Sequence, residues 1–316
     1  MIIKILNTFK KTPKSIKTHE LIPFLDLLVS SRVCIAVLFS AFALGLSTTS
    51  LAQTARVLIV GDSWAQLQFD NNTHNQIFSD NGYAQFIIDS NSDAVATDGS
   101  RASDWAQANQ LQLIGDIITT NPQIDTVQLT IGGNDFLEGW NINLTLAEKQ
   151  DLQQQIKTDI TTIVQYVLSL DSRIEVILSF YDYPNFVDTI SGTFGATCNG
   201  LLTDMGTPSV LQLNSAAREF EQVYAQIATS NSRVFHVSHF GLMQSYFGFP
   251  DLNIPPGSLL PPGDASLPSP LEAMRDFIVA RDCFHLSPLG YQYLVQNSFD
   301  GYFHARFDTV FQSSFE

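Results

Sequence analysis

Four short polar stretches of the chain carry residue types that are used in nucleophilic catalysis. GDSW at 61–64 brings a hydroxyl, TDGS at 97–100 a flexible backbone amide and GGND at 132–135 a carboxamide, while Asp282 and His285 stand three residues apart further on. A serine hydroxyl is a poor nucleophile near neutral pH unless an adjacent base takes its proton, and that base needs a group that fixes its tautomer. Each stretch taken alone is typical of a turn, so their placement in the fold has to decide between ordinary turns and a catalytic site.

Short aliphatic runs alternate with longer helical patterns along the chain. The aliphatic runs are ARVLIV (55–60), SDAVAT (92–97), DTVQLTI (125–131), RIEVILSF (173–180) and RVFHVS (233–238), and the main helical patterns are 146–170 and 208–228. Continuous apolar strands separated by helices predict an α/β fold, a three-layer α/β/α sandwich whose parallel sheet is covered on both faces. In such sheets a site lies outside the carboxyl ends of the strands, where the first three polar stretches would meet.

His285 stands just before a predicted helix start, with Ser287 as the N-cap and Pro288 at the first helical position. A capping or packing histidine is therefore the alternative to a catalytic one. The three polar strand ends favour the catalytic interpretation, because they bring the groups that such a histidine would serve.

In this order the four stretches resemble the motif blocks of the SGNH (GDSL-like) hydrolase family: GDSW at 61–64, a glycine within 98–106, GGND at 132–135 and DCFH at 282–285. Trp64 stands where the GDSL name has Leu, and the second block is a loose match. The resemblance covers nearly all of the chain after its N-terminal segment. It implies a parallel, flavodoxin-like sheet and a serine ester hydrolase.

The resemblance also implies a role for each site residue. Ser63 would attack the ester, His285 would take and return the proton, and Asp282 would orient the imidazole. The backbone amides of Ser63 and Gly99 and the side-chain amide of Asn134 would form the oxyanion hole, in which each donor contributes roughly 3–4 kcal/mol. No cofactor and no metal is implied.

Other polar and aromatic features have plainer alternatives. Asp62 is assigned a role in stabilising the turn and none in proton transfer. His236 and His239 are interpreted as strand-end packing residues rather than a metal pair. Trp105 and the aromatic residues of 180–186 fit either a substrate pocket or the core, and the proline-rich segment 247–270 fits either a flap over the cleft or a surface loop.

Two cysteines, Cys198 and Cys283, follow the N-terminal segment, and neither belongs to a zinc-binding pattern. In an exported chain they suggest one disulfide, which would anchor the segment that carries Asp282 and His285. Two separate buried thiols are the alternative.

The N-terminal segment has the features of a secretory signal. Basic residues precede an uncharged stretch from Val33 to Ala55, whose apolar core is shorter than the roughly 20 residues that span a bilayer. Small residues at 50–52 suit a signal peptidase. We therefore predict a signal peptide at 1–52, a hydrolase domain at 53–316, export to the periplasm or medium, and no stable membrane insertion after cleavage; an uncleaved anchor is the alternative.

The charge balance bears on partners. The formal net charge is −15, and it becomes more negative without the basic N-terminal segment, which disfavours nucleic acid as a partner.

The expected substrate is a small-molecule or polysaccharide ester. We expect an exported serine esterase that forms an acyl-enzyme; the alternatives are a polysaccharide O-deacetylase of the same fold and a non-catalytic carbohydrate-binding protein using the same cleft.

Overall fold

Five parallel strands form the central sheet in the computed structural model, which describes residues 52–190, 195–277 and 280–313. The strands are β1 (Thr54–Gly61), β2 (Phe86–Ile88), β3 (Thr126–Thr130), β4 (Glu175–Ser179) and β5 (Val234–Val237). Their order is β2-β1-β3-β4-β5, and every neighbouring pair is parallel. This is the flavodoxin-like order, so the predicted α/β class and sheet are confirmed.

Thirteen α-helices lie in the described part of the chain, together with a second, two-stranded sheet. The helices are α1 (Ser63–Asp70), α2 (Thr73–Asp80), α3 (Ser92–Val95), α4 (Ala102–Trp105), α5 (Ala108–Thr120), α6 (Gly133–Gly139), α7 (Leu146–Leu170), α8 (Phe186–Thr189), α9 (Gly195–Asp204), α10 (Val210–Thr229), α11 (Leu242–Phe247), α12 (Pro288–Ser298) and α13 (His304–Ser313). Strands β6 (Met274–Phe277) and β7 (Ala280–Leu286) pair antiparallel. Short 3₁₀ turns cover Pro250–Leu252 and Leu271–Ala273, and a π-helical stretch covers Phe299–Phe303.

Helices cover both faces of the parallel sheet because its strands are apolar on both sides. In β1, Leu58 and Val60 pack into the core under α5, α7 and α10, whereas Val57 and Ile59 pack into the core under α1, α2 and α12. All four side chains are fully buried. Burying both faces of a strand gives it the continuous apolar run seen in the sequence.

The prediction of a strand at 92–97 is wrong. Residues 92–95 form the short helix α3, because the Asp89 carboxylate accepts hydrogen bonds from Asn91 and turns the chain there. The strand that pairs with β1 on this side is the three-residue β2, which is too short to give a pattern. Ala96 still makes a single parallel bridge to Gly61, so the turn at 97–100 lies beside the end of β1.

The predicted signal peptide lies outside the described residues, apart from its last position. None of the helices in the described part of the chain combines the length and the apolar character that crossing a bilayer would require.

Candidate active site

Ser63 lies at the carboxyl end of β1, where the strand passes directly into α1. Asp62 is the N-cap of this helix, and its side chain accepts a hydrogen bond from the Trp64 amide at 2.9 Å. Gly61 has φ +150°, and a Cβ there would overlap the Thr130 carbonyl of the neighbouring strand. The turn therefore requires glycine, and it presents Ser63, only 7 % exposed, at the edge of the sheet.

Ser63, His285 and Asp282 form one hydrogen-bonded chain. The Nε2 atom of His285 lies 2.7 Å from the Ser63 hydroxyl, and its Nδ1 atom lies 2.7 Å from the Asp282 carboxylate. The three residues predicted from the sequence are thus brought together across 222 positions of chain. This is the geometry of a serine nucleophile, a base and a group that orients the base.

Asp282 and His285 lie on strand β7. Two positions of β6 span the segment from Arg281 to Leu286, so residues 282–285 bulge out of the ladder. Within this bulge Asp282 accepts hydrogen bonds from the backbone amides of Phe284 and His285. Bulges re-aim side chains, and this one lets two residues three apart meet on one side of the strand.

The surroundings of Asp282 keep it charged. Burial alone would raise the pKa of its carboxyl group, but the hydrogen bond from His285, its electrostatic interaction with that ring and the two backbone amides outweigh burial, and the pKa lies below its usual range. A carboxylate that stays ionised holds the Nδ1 proton of His285, which leaves Nε2 free to accept the proton of Ser63.

The three predicted oxyanion donors lie on neighbouring turns. The Ser63 amide is at the first position of α1, where amides lack a partner within the helix. The Asn134 carboxamide donates to the Ser100 carbonyl at 2.9 Å, which leaves its second proton available. Gly99 has φ +73° on the adjoining turn and lines a neighbouring surface depression rather than the pocket beside Ser63, so its role stays a prediction.

Two further residues join these turns through contacts that the sequence analysis did not predict. Ser100 donates its hydroxyl to the Gly61 carbonyl at 3.1 Å, besides accepting the bond from Asn134. Tyr181, just after β4, donates to the Asp62 carboxylate and accepts a hydrogen bond from the Gly133 amide at 2.9 Å. Position at a strand end was the available signal for Tyr181, since it directly follows the run 173–180.

Asp62 is almost completely buried, at 1 % exposure. Burial raises its pKa to about 7, against the opposing effect of the hydrogen bonds from Tyr181 and from the Trp64 amide. Its contacts are those of a helix cap and an inter-turn link, in keeping with the predicted structural role.

The predicted disulfide is present. It joins Cys198 on α9 to Cys283 inside the bulge of β7, with 6.0 Å between the two Cα atoms. Cys283 is followed by Phe284 and His285, so the cross-link holds the bulge that carries the base.

A pocket opens beside Ser63. Its walls come from Trp64, α6, the residues after β4, α10, Phe240 and Phe284, and it encloses about 610 Å³ of empty space, part of it open to solvent. Residues 247–270 contribute no wall residue, so the flap interpretation is wrong. The segment is tied down instead, because Gln244 and Asn214 donate to the carbonyls of Leu267 and its neighbours.

The remaining candidates have structural partners. The His239 ring contacts Ser179 at 2.9 Å and Asn297 at 3.0 Å, and His236 lies 3.3 Å from the Glu221 carboxylate, so both histidines pack as predicted. The indole of Trp105 donates to Ser100 within the core, whereas Phe180 and Tyr181 line the pocket.

Comparison with known proteins gave structural matches only. A scan against family models and a search of curated proteins found no match. Among solved structures, a carbohydrate acetylesterase from Sinorhizobium meliloti matches with a TM-score of 0.46 and 12% identity, over 78% of this chain and 97% of that chain. A family 3 carbohydrate esterase from Clostridium thermocellum matches with a TM-score of 0.42 and 14% identity, over 80% of this chain and 97% of that chain. A psychrotrophic esterase from Pseudoalteromonas matches with a TM-score of 0.41 and 14% identity, over 78% of this chain and 95% of that chain.

Proposed function

We propose that the protein is a serine esterase that hydrolyses a carboxylic ester through an acyl-enzyme on Ser63. The observation that carries the proposal is the hydrogen-bonded chain from Ser63 through His285 to Asp282, which opens onto a pocket. A binding protein that used the same cleft would need no base oriented by a carboxylate, so this chain favours catalysis over the carbohydrate-binding alternative.

In this proposal each step of the reaction belongs to one residue. The Ser63 oxygen attacks the ester carbonyl while its proton passes to His285, and Asp282 stabilises the resulting imidazolium. Donors at the turns hold the negative charge on the carbonyl oxygen. His285 then gives the proton to the departing alcohol. In the second half His285 takes a proton from water, the water attacks the acyl group, and Ser63 leaves with its proton restored.

Export belongs to the same proposal. The signal-like N-terminal segment and the disulfide between Cys198 and Cys283 both suit an oxidising compartment outside the cytoplasm, since disulfides persist there. The proposed mature domain is 53–316.

Covalent labelling tests the assignment. A fluorophosphonate probe should label the wild-type protein, and labelling should disappear in Ser63→Ala and in His285→Ala, because the serine is reactive only with its base. Ser172→Ala, at an exposed serine away from the site, is the control and should label normally. Strong labelling or ester hydrolysis by Ser63→Ala would remove the basis of the proposal.

A further inference from the structure

The pocket beside Ser63 is apolar along its walls. Behind its mouth it is lined by side chains of α6 and α10 and by aromatic rings, among them Phe136, Phe180, Phe220 and Phe240. Phe220 and Phe240 are 2 % and 1 % exposed and so belong to the buried core, which closes the pocket at that depth. A blind apolar pocket that begins at a nucleophile is suited to a hydrocarbon group attached to the reacting carbonyl.

The acidic and phenolic side chains in the lining are already engaged. The Tyr181 hydroxyl is bonded to Asp62 and to the Gly133 amide. The Asp182 carboxylate accepts three hydrogen bonds of 2.7 Å, from the backbone amides of Tyr183, Gly241 and Met243. Neither group is left to bind a polar substituent. A negatively charged acyl group would also be buried beside two acids, and any charged group would lose its hydration in the apolar pocket. The pocket therefore selects an uncharged, apolar group.

Two substrate groups compete for such a pocket, the acyl chain and the alcohol. The alcohol must receive its proton from the Nε2 atom of His285, so it lies on the His285 side of Ser63. Ser63 and Asn134 line the pocket, whereas His285 and Asp282 do not. The group that stays on Ser63 in the acyl-enzyme is the one that extends into the pocket.

We propose that this pocket binds the acyl chain, and that the natural substrate is an ester of an apolar acid of several carbons rather than an acetyl ester. The inference rests on the proposed esterase function and adds the substrate class. It disfavours acetylated polysaccharide as the substrate, since an acetyl group would leave the pocket empty.

Ala217 controls the space in the pocket. It lies on α10 between Leu213 and Phe220, one turn from each, so the three side chains share a face of the helix. A larger residue at 217 would take up space in the pocket and leaves Ser63, His285 and Asp282 themselves unchanged. Ala225, about two turns further along α10, does not line the pocket and is a matched control.

The test compares p-nitrophenyl esters from acetate to octanoate, kept below their micelle-forming concentrations. In the wild type, kcat/KM should rise roughly threefold to fourfold per methylene until the pocket is full, as expected for burying a CH₂ group. Ala217→Leu should lower kcat/KM on the best wild-type ester at least tenfold more than it lowers kcat/KM on the acetate ester. Ala225→Leu should retain the wild-type profile.

Fluorophosphonate titration of Ser63 in each variant separates the possible failures. A flat or acetate-favouring profile with normal labelling would overturn the acyl-pocket inference while leaving the esterase proposal intact, and release of acetate from acetylated xylan by that enzyme would support the deacetylase alternative. Failure of Ser63 to label, with no ester cleaved, would overturn both proposals. The wild-type profile decides the inference by itself if Ala217→Leu does not fold.

Discussion

Ser63 owes its position to side chains that come from distant parts of the chain. His285 and Asp282 lie on β7, and the turns around Ser63 are joined by Ser100 and Tyr181. Tyr181 is the more instructive of the two, because its hydroxyl satisfies Asp62 on the nucleophile turn and the Gly133 amide on the Asn134 turn at once. We expect Tyr181 to act as a positioning residue, because it contacts both of these turns.

Tyr181→Phe should lower kcat by roughly tenfold or more with little change in KM. The variant keeps the ring that lines the pocket but leaves Asp62 and the Gly133 amide without their partner, and small misplacements of catalytic groups are costly in rate. Steady-state kinetics with one ester will show the split. Tyr183→Phe, which removes a hydroxyl bonded to the Pro262 carbonyl, is the matched control. An unchanged kcat in Tyr181→Phe would refute the positioning role.

At the residue level the candidate site could be predicted from short motifs, whereas the contacts between those motifs could not. Short local motifs contain the candidate site residues, so these residues could be predicted without a structure: Ser63, Asn134, Asp282 and His285. The bonds of Ser100 and Tyr181 join elements that are 34 to 119 residues apart, and no local pattern reports such a contact.

At the level of elements, the long helices that begin with a capping motif were the ones whose bounds could be predicted from the sequence. Helix α7 begins and ends where predicted, and α10 starts two residues later than predicted; both carry capping boxes, at Thr145 and Glu148 and at Ser209 and Gln212. The helix start at Pro288 after the Ser287 cap is also confirmed. The three-residue β2 and the bulged hairpin of β6 and β7 were missed, because neither is long or regular enough to give a period.

The disulfide between Cys198 and Cys283 joins α9 to the bulge of β7 that carries Asp282 and His285. Closing the 85-residue separation between Cys198 and Cys283 stabilises the fold by roughly 4 to 5 kcal/mol in the chain-entropy model. We expect the disulfide to matter more for the candidate site than for the stability of the whole fold, because it lies inside the four-residue bulge that holds Asp282 and His285 against Ser63.

Cys198→Ser should therefore lose ester hydrolysis at temperatures where its circular dichroism still reports a folded protein. The substitution lies on α9 and leaves the bulge residues themselves intact, which makes it cleaner than a change at Cys283. Activity and ellipticity are to be followed together over a temperature series, beside the wild type. If both signals disappear at the same temperature in the variant, the disulfide stabilises the fold without a particular effect on the site.

At the level of the whole molecule, two of the carboxyl groups that the fold buries, those of Asp62 and Asp182, lie beside the pocket. Burial raises the pKa of each to about 7, although each accepts several hydrogen bonds. Both groups sit beside the pocket, so the architecture that shapes the site also makes stability depend on pH.

Asp62→Asn isolates one of these contributions. The pKa of Asp62 is near its ordinary value of about 4 in the unfolded chain and about 7 in the folded protein, so the native state holds an extra proton between these values. The stabilisation from that proton is fully present below about pH 4 and is lost as the pH rises through about 7. The free energy of unfolding of the wild type should therefore fall over this range more steeply than that of Asp62→Asn, in which position 62 does not titrate.

Urea unfolding at a series of pH values from 4 to 8 measures the difference directly. Asp182 is present in both proteins, so its own contribution cancels in the comparison. Asp70→Asn makes the same chemical change at the exposed end of the same helix and should keep the wild-type slope. Parallel curves for the wild type and Asp62→Asn would mean that Asp62 stays ionised in the folded protein, with the Tyr181 hydroxyl and the Trp64 amide compensating fully for its burial.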